Sequence, residues 1–224
     1  MSNKRKALLV GGTGLVGSHL LKLLEENDAY VEVRVMGRTA PDSKKSKVKF
    51  IPAVLTNGKF PRSAFVDVHD VFCCIGTTQK KTPDKEAYRD IDVGIPANIA
   101  STSSIFNARN FLVVSSVGAS DQSRFFYLRF KGEMEEKVIV SGVPTIEIFR
   151  PNTLLGKRKE FRFGEWVAKV FSSITSWFMP KKYQAIKASD VAKAMLVRAL
   201  DNPDAGVNVW ESNQIETLAK EYKN

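Results

Sequence analysis

The sequence predicts an α/β fold, a doubly wound parallel sheet covered by helices on both faces. The first observation is that short apolar segments alternate with longer segments whose apolar residues recur every three or four positions. A parallel sheet requires this alternation, because each strand must be joined to the next by a crossover. The second observation is length, since 224 residues suit one large domain.

Six strands and three long helices are predicted before residue 150. The strands are expected at 6–10, 30–36, 48–54, 68–75, 110–114 and 145–149. The helices are expected at 15–26, 84–106 and 124–141. Pro96 should kink or divide the second helix, because proline has no backbone N–H to donate.

The composition changes after residue 150. We expect one domain over 1–224, with 151–187 and 202–224 contributing a small C-terminal lobe that covers the substrate. Within it, 163–177 has one apolar helical face, which favours a lid over the pocket, a dimer face or a membrane contact. Beyond it we predict a helix at 191–200 capped by Asp190, a strand at 207–210 and a helix at 215–222.

Three glycines at a spacing of three follow the first strand directly. Gly11 permits a tight turn, Gly14 lets a pyrophosphate approach the backbone, and Gly17 lets the helix pack closely. The helix N-terminus adds free N–H groups and partial positive charge. This pattern is typical of a Rossmann-like, NAD(P)-binding domain. The predicted cofactor residues of this stretch are Gly11, Thr13, Gly14, Leu15, Val16 and Gly17.

The end of the second strand indicates which dinucleotide is bound. An NAD-selective site places a carboxylate about 20 residues beyond the glycine loop, where it holds the ribose 2′-hydroxyl. Here Arg38 and Thr39 stand in that region, and Arg38 can pair with a 2′-phosphate. We therefore expect NADPH rather than NADH.

Two further strand ends should contact the cofactor. The fourth strand ends with Cys74, Ile75, Gly76 and Thr77. These residues should pass the adenosine side of the cofactor. Pro151 and Leu154 follow the sixth strand and should lie near the nicotinamide. The adjacent Cys73 and Cys74 lack metal-ligand spacing, so buried apolar roles are expected and no metal site is predicted.

The candidate catalytic residues lie at the end of the fifth strand and on the helix after it. Tyr127 and Lys131 are four residues apart, so they share one face of a helix. A free phenol has a pKa of about 10, and a nearby ammonium favours its ionised form. Ser116 can orient a substrate oxygen, while Ser115 should face the cofactor or the core.

Several longer strings carry a resemblance to a known family. They are Cys73-Cys74-Ile75-Gly76-Thr77-Thr78, Phe126-Tyr127-Leu128, Lys131-Gly132-Glu133, Phe149-Arg150-Pro151 and Gly164-Glu165-Trp166. With the glycine loop, they resemble the Tat-interacting protein (CC3-like) oxidoreductases, an atypical branch of the short-chain dehydrogenases/reductases. The resemblance implies a Rossmann fold that binds NADPH, and it adds Arg162 as a cofactor residue by its position.

Three functional hypotheses follow. The leading one is an NADPH-dependent oxidoreductase that transfers hydride to a small carbonyl substrate. The alternative is an NADPH-binding regulatory or sensor protein without turnover, and an epimerase or dehydratase is a third possibility. The net charge of +10 comes from scattered residues, so no specific nucleic acid is predicted.

The sequence also bears on location and assembly. The N-terminal segment lacks the apolar core of a secretory signal peptide, and no apolar run reaches the roughly 18 residues of a membrane span. We therefore expect a cytoplasmic protein without a transmembrane segment. It should be a monomer or a homodimer.

Overall fold

The computed structural model describes residues 4–156, 185–201 and 204–222 of the chain. Its strands, in chain order, are β1 (Arg5–Val10), β2 (Tyr30–Gly37), β3 (Val48–Pro52), β4 (Asp70–Cys73), β5 (Asn110–Val114), β6 (Thr145–Arg150), β7 (Leu154–Leu155), β8 (Ile186–Lys187) and β9 (Gly206–Glu211). Its α-helices are α1 (Leu15–Glu26), α2 (Lys85–Arg89), α3 (Ile95–Ile105), α4 (Phe126–Ile139), α5 (Ala188–Leu200) and α6 (Ser212–Glu221). Short 3₁₀ turns occur at Thr56–Gly58 and Arg62–Phe65.

Seven strands form one sheet in the order β3-β2-β1-β4-β5-β6-β9, and every neighbouring pair is parallel. The chain runs outward from β1 to β3 on one side and from β4 to β9 on the other. The winding direction therefore reverses between β1 and β4, the position where such sheets bind ligands beyond their carboxyl ends. The predicted Rossmann-like, doubly wound fold is confirmed.

Helices cover both faces of the sheet, with a separate apolar cluster beneath each layer. One cluster joins α1, α5 and α6, through side chains such as Leu20 and Met195. The other joins α3, α4 and the residues around them, through side chains such as Ile99 and Met134. Residues of the central strands alternate between the clusters, because successive side chains of a strand point to opposite faces.

A buried polar network ties the amino ends of four strands together, at the edge opposite the predicted site. The Asp70 carboxylate pairs with Arg5 at 3.1 Å and accepts hydrogen bonds from the Tyr30 hydroxyl and the Asn110 amide. Burial raises the pKa of Asp70, whereas the Arg5 guanidinium acts to lower it. The network fixes the strands' relative positions.

The predicted helix over 84–106 is divided. It consists of α2, a π-helical turn at Asp90–Gly94, and α3. Within the turn, the Ile95 N–H donates to the Asp90 carbonyl five residues earlier. Pro96 follows directly and has no N–H, so it cannot donate to the Asp92 carbonyl four residues before it. The expected interruption near Pro96 is therefore confirmed.

The C-terminal part is described only partly. β7 pairs with β8 outside the main sheet, and β9 forms an edge of the main sheet next to β6. The prediction that Asp190 caps the penultimate helix is wrong, because α5 begins at Ala188 with Lys187 at its N-cap. Arg162 and the segment 163–177 lie outside the described residues. The small C-terminal lobe stays a prediction.

Candidate functional site

A cavity of about 490 Å³ opens at the carboxyl ends of β1, β2 and β4. It is lined by residues 11–14, 35–39, 54–56, 74–78 and 81–82, together with Ile91 and Ile95. It thus lies where the order of the sheet reverses, and it contains the glycine loop and the end of β2 that the sequence predicted as cofactor-binding.

Close approaches of the backbone explain the glycines. Gly11 has a φ of +86°, and a Cβ there would lie 2.7 Å from the Cys74 carbonyl oxygen. A Cβ on Gly14 would lie 2.9 Å from the Gly11 carbonyl oxygen, and one on Gly17 only 2.2 Å from it. A larger residue at Gly11 would push the loop away from the end of β4, and one at Gly17 would force α1 away from the loop, as predicted for Gly17.

The N-terminus of α1 suits a phosphate. Gly14 is its N-cap, no side chain caps it, and the first turn contains no acidic residue. The initial N–H groups of a helix have no partner within the helix, and their dipoles attract anions. The glycines keep Cβ atoms out of the loop beside these groups. The residues present therefore fit a dinucleotide whose phosphates lie at this helix end.

The predicted residues after β2 and β4 meet in the cavity. Arg38 and Thr39 line one wall and are exposed. Residues 74–77 line another, and the Cys74 N–H donates to the Val10 carbonyl at 2.8 Å, which holds this wall against β1. Cys73 and Cys74 are both free thiols and both buried, as expected.

Sequence reasoning missed the rest of that wall. Thr78, Lys81 and Thr82 also line the cavity. The Thr82 N–H donates to the Thr78 carbonyl at 2.9 Å, and the Thr77 and Thr82 hydroxyls lie 2.9 Å apart. This local turn brings Lys81 to the cavity. Residues 77–82 lack the glycine pattern that revealed the other loops, so the sequence carried no comparable signal.

The remaining glycine-loop candidates lie beside the cavity rather than in its lining. Val16 is buried in the core, and Leu15 faces Gly156, the residue directly after β7. A Cβ on Gly156 would lie 2.5 Å from a methyl carbon of Leu15, so these residues are in close contact. Leu154 packs on the cluster formed by α1 and α5.

The fifth and sixth strands bring Ser116 and Pro151 into neighbouring segments. The Val117 N–H donates to the Pro151 carbonyl at 3.1 Å. Ser116 is buried, and its hydroxyl lies 3.4 Å from the Val117 carbonyl oxygen. Both residues therefore lie at the carboxyl edge of the sheet.

Ser115 faces the core. Its hydroxyl donates to the buried carboxylate of Glu135, which also accepts from the Arg150 guanidinium at 3.0 Å. The hydrogen bond to Glu135 is the main cause that raises the pKa of Arg150. Glu135 thus joins α4 to β6 and to Ser115, the residue before Ser116. No pattern in the sequence singles out this carboxylate.

Tyr127 and Lys131 both lie on α4, outside the lining of the cavity. Tyr127 is half-buried and packs on the α3–α4 cluster. Lys131 is 4% exposed, and its ammonium forms an ion pair with Asp92 at 3.0 Å. The other oxygen of Asp92 accepts from the Thr77 N–H at 2.8 Å. Asp92 therefore connects a predicted catalytic residue with the wall of the cavity.

Within the described ranges, the structure contains neither of two other kinds of site. No group of three or more His, Cys, Asp or Glu side chains suited to a metal ion occurs there. None of the helices described is both long enough and apolar enough to span a bilayer.

Known proteins support the fold and the ancestry. Protein HTATIP2 of Rattus norvegicus is 30% identical, over 99% of this chain and 91% of its own. A protein of Meyerozyma guilliermondii named FMP52, mitochondrial, is 33% identical over 97% and 96%. A solved structure, a putative NAD-dependent epimerase/dehydratase from Bacillus halodurans, has a TM-score of 0.67 at 20% identity and covers 97% of this chain and 100% of that one.

These relatives correct one expectation. Those from Meyerozyma guilliermondii, Candida albicans and Debaryomyces hansenii are all named mitochondrial proteins, so the prediction of a purely cytoplasmic protein is wrong. Lack of a secretory signal argues only against the secretory route, and it does not bear on import into mitochondria.

The family assignment rests on sequence as well as fold. The profile of the NAD dependent epimerase/dehydratase family matches residues 7–125, from the first strand through the glycine loop to the start of α4. The similarity to HTATIP2 confirms the resemblance to the Tat-interacting proteins that the longer motifs indicated. The chain therefore belongs to the NAD dependent epimerase/dehydratase family, as an atypical short-chain dehydrogenase/reductase related to HTATIP2 and FMP52.

Proposed function

We propose that this protein is an NADPH-dependent oxidoreductase that reduces a small carbonyl substrate. The observation that carries the proposal is the charge of the cavity beside the glycine loop. Among the described residues that line it, Arg38 and Lys81 are cationic and none is Asp or Glu. A dinucleotide with an additional phosphate suits such a lining better than one without it.

The cofactor preference follows from the end of β2. A site selective for NAD presents a carboxylate to the ribose 2′-hydroxyl, whereas Arg38 and Thr39 line this cavity. Arg38 is exposed at the wall, so its guanidinium is free to turn toward a 2′-phosphate. Solved relatives of the fold include the Bordetella bronchiseptica enzyme WbmF in complex with NAD⁺. Selectivity for NADPH would therefore be a property of this chain's own residues.

The chemistry uses residues from α4 and from the segment that follows β5. The bound cofactor supplies the hydride that reaches the carbonyl carbon. Tyr127 donates its hydroxyl proton to the carbonyl oxygen, Lys131 favours the resulting phenolate and holds the ribose, and Ser116 orients the oxygen. The product is an alcohol, and Tyr127 recovers its proton from water. Pro151, Leu154 and Arg162 would contact the nicotinamide half, and the C-terminal lobe would cover the substrate.

The cofactor proposal is tested with Arg38→Ala. We expect the Kd for NADPH to rise about tenfold to a hundredfold, the equivalent of one charge-assisted hydrogen bond, while the Kd for NADH hardly changes. Calorimetry with both cofactors measures this. Lys44→Ala is the matched control, since Lys44 is an exposed cation nearby in sequence but outside the cavity lining. Equal losses for the two cofactors in Arg38→Ala would contradict the assignment.

The catalytic proposal is tested with Tyr127→Phe, which removes one hydroxyl and keeps the ring. Oxidation of NADPH by carbonyl compounds should fall about a hundredfold or more, as expected for a general acid. The melting temperature should stay close to that of the unaltered protein. Full activity in the variant would place the proton donor elsewhere. Tight NADPH binding without turnover of any carbonyl would favour the regulatory alternative.

A further inference from the structure

The loop after β4 carries a cation to the cofactor cavity. Lys81 and its neighbours Thr78 and Thr82 line the cavity, and Lys81 is exposed. Arg38 lines the same cavity from the end of β2. Among the described residues of the lining, Arg38 and Lys81 are the only cations. The cavity therefore presents one positive side chain beyond each of two different strands.

Hydrogen bonds hold the turn that bears Lys81. The N–H groups of Lys81 and Thr82 both donate to the Thr78 carbonyl at 2.9 Å. The Thr82 hydroxyl lies 2.9 Å from that of Thr77, whose carbonyl accepts from the Tyr88 hydroxyl at 3.3 Å. The backbone around Lys81 is thus fixed to the cavity wall and to α2, while its side chain has a flexible four-carbon stem with which to reach a ligand.

The cavity suits the adenosine half of a dinucleotide. Its lining comes from the glycine loop, from the ends of β2 and β4, and from residues 54–56 after β3, with two side chains of the helical region beside them. None of the described lining residues belongs to the segments after β5 and β6, where the proposed function places the nicotinamide and the substrate. A cation in this cavity therefore meets either the diphosphate or a phosphate on the adenosine ribose.

The balance of charge favours the ribose phosphate. A phosphate monoester carries a charge of about −1.5 to −2 at pH 7, so the single guanidinium of Arg38 leaves part of that charge uncompensated. Lys81 supplies a second positive charge, and its ammonium binds a phosphate without the fixed geometry that a guanidinium requires. The diphosphate, in contrast, has the N–H groups at the start of α1.

We propose that Lys81 is a specificity-determining residue for the cofactor and binds the 2′-phosphate of NADPH together with Arg38. The two side chains approach this phosphate from different walls of the cavity, Arg38 from the end of β2 and Lys81 from the loop after β4. The inference rests on the proposed function, because the 2′-phosphate is what distinguishes NADPH from NADH. It adds to that function a second determinant of selectivity, far from Arg38 in the sequence.

The first test compares Lys81→Met with the unaltered full-length protein by calorimetry. Methionine keeps an unbranched side chain and removes the charge, so we expect the Kd for NADPH to rise about tenfold and the Kd for NADH to change by less than about twofold. Lys80→Met is the matched control, because Lys80 is an exposed neighbouring cation outside the cavity lining. Its Kd for NADPH should stay within about twofold. Equal losses for the two cofactors in Lys81→Met would place Lys81 at the diphosphate and overturn the proposal.

Fragments of the cofactor show whether the effect belongs to the adenosine half. Adenosine 2′,5′-bisphosphate carries the 2′-phosphate without the nicotinamide, whereas adenosine 5′-monophosphate lacks both groups. Lys81→Met should raise the Kd for the bisphosphate by the same factor as that for NADPH, and it should leave the Kd for the monophosphate unchanged. A bisphosphate that binds Lys81→Met as tightly as the unaltered protein would overturn the proposal.

Two further variants separate the charge of Lys81 from its shape. Lys81→Arg keeps the positive charge, so its Kd for NADPH should stay within about threefold of the original value. A loss as large as that of Lys81→Met would show that the charge is not what matters. The combination of Arg38→Ala with Lys81→Met should bind NADPH and NADH with nearly equal Kd, because it removes both cations of the described lining. A preference for NADPH as large as that of Arg38→Ala alone would overturn the role of Lys81.

The unaltered protein distinguishes the two possible failures. If it binds NADH as tightly as NADPH, the proposed function itself is contradicted. If it prefers NADPH and Lys81→Met keeps the full preference, only the role of Lys81 is overturned. Because Lys81 is exposed, each of its variants should melt close to the temperature of the unaltered protein, so the comparison is made on folded protein.

Discussion

The close packing of α1 on the glycine loop gives a sharp prediction for Gly17→Ala. An alanine Cβ would lie 2.2 Å from the Gly11 carbonyl oxygen and 2.9 Å from its carbonyl carbon. Both neighbours are backbone atoms, so no side-chain rotation relieves the contact. The helix start and the loop must separate by about 1 Å, which is the overpacking that costs about 1–3 kcal/mol in a well-packed interior.

Gly17→Ala should reduce the free energy of unfolding by less than it reduces the free energy of NADPH binding. Alanine in a helix is favoured over glycine by about 1 kcal/mol, so the free energy of unfolding should fall by only about 1 kcal/mol. The same displacement moves the α1 N–H groups relative to the phosphates. Loss of one hydrogen bond to a charged group costs about 1.5–3 kcal/mol. We therefore expect the Kd for NADPH to rise at least about tenfold.

Urea unfolding and calorimetry measure the two effects on the same preparation. Gly37→Ala is the control for folding, because no atom lies within 4 Å of a Cβ built there and its φ is not positive. Its free energy of unfolding should be unchanged or slightly higher. If Gly17→Ala folds and binds NADPH as tightly as the unaltered protein, the phosphates do not lie at this helix end and the argument is refuted.

Two further predictions concern residues next to the site. Glu135→Gln should lower the free energy of unfolding by about 2 kcal/mol in urea titrations, because the buried carboxylate pairs with Arg150 and accepts from Ser115. Glu133→Gln is the control, because Glu133 lies on the same helix but pairs with Arg89, whose side chain is half exposed. It should lower the free energy of unfolding by at most about 1 kcal/mol. Equal losses in the two variants would contradict the reasoning. The Cys74→Ala variant keeps one thiol, that of Cys73, which is buried and has a pKa raised to about 11. This thiol should not react with a thiol reagent at about pH 8 until urea unfolds the protein. Rapid reaction of the native protein would show that this strand end opens.

Features specified by neighbouring residues were predictable from the sequence. α1 has its predicted bounds, Leu15–Glu26, because the glycine loop fixes its start and its apolar spacing marks one face. β5 has its predicted bounds for a similar reason, as a short apolar run that is buried on both sides. Arg38 and residues 74–77 line the same cavity, because parallel strands end at the same edge.

Features that depend on tertiary packing were not predictable. The run from Glu133 to Lys137 contains three glutamates, and helical periodicity alone does not identify which one meets Arg150. The structure assigns this contact to Glu135, because β6 supplies the arginine on that side of α4. Asp92 was missed because its direction depends on the π-helical turn, which shifts the helical register.

The packing of α1 against α5 limits how much of the protein can fold while it is still being synthesised on the ribosome. The apolar side of α1, with Leu20 and Leu24 fully buried, is covered by residues such as Val191 and Met195, which are synthesised about 170 residues later. The edge strand β9 joins β6 later still. Until the last quarter of the chain has been synthesised, the nascent polypeptide therefore exposes the apolar side of α1 next to an incomplete nucleotide-binding site. Nascent chains truncated before α5 should bind chaperones strongly, and they should acquire protease resistance only when the last strand is included.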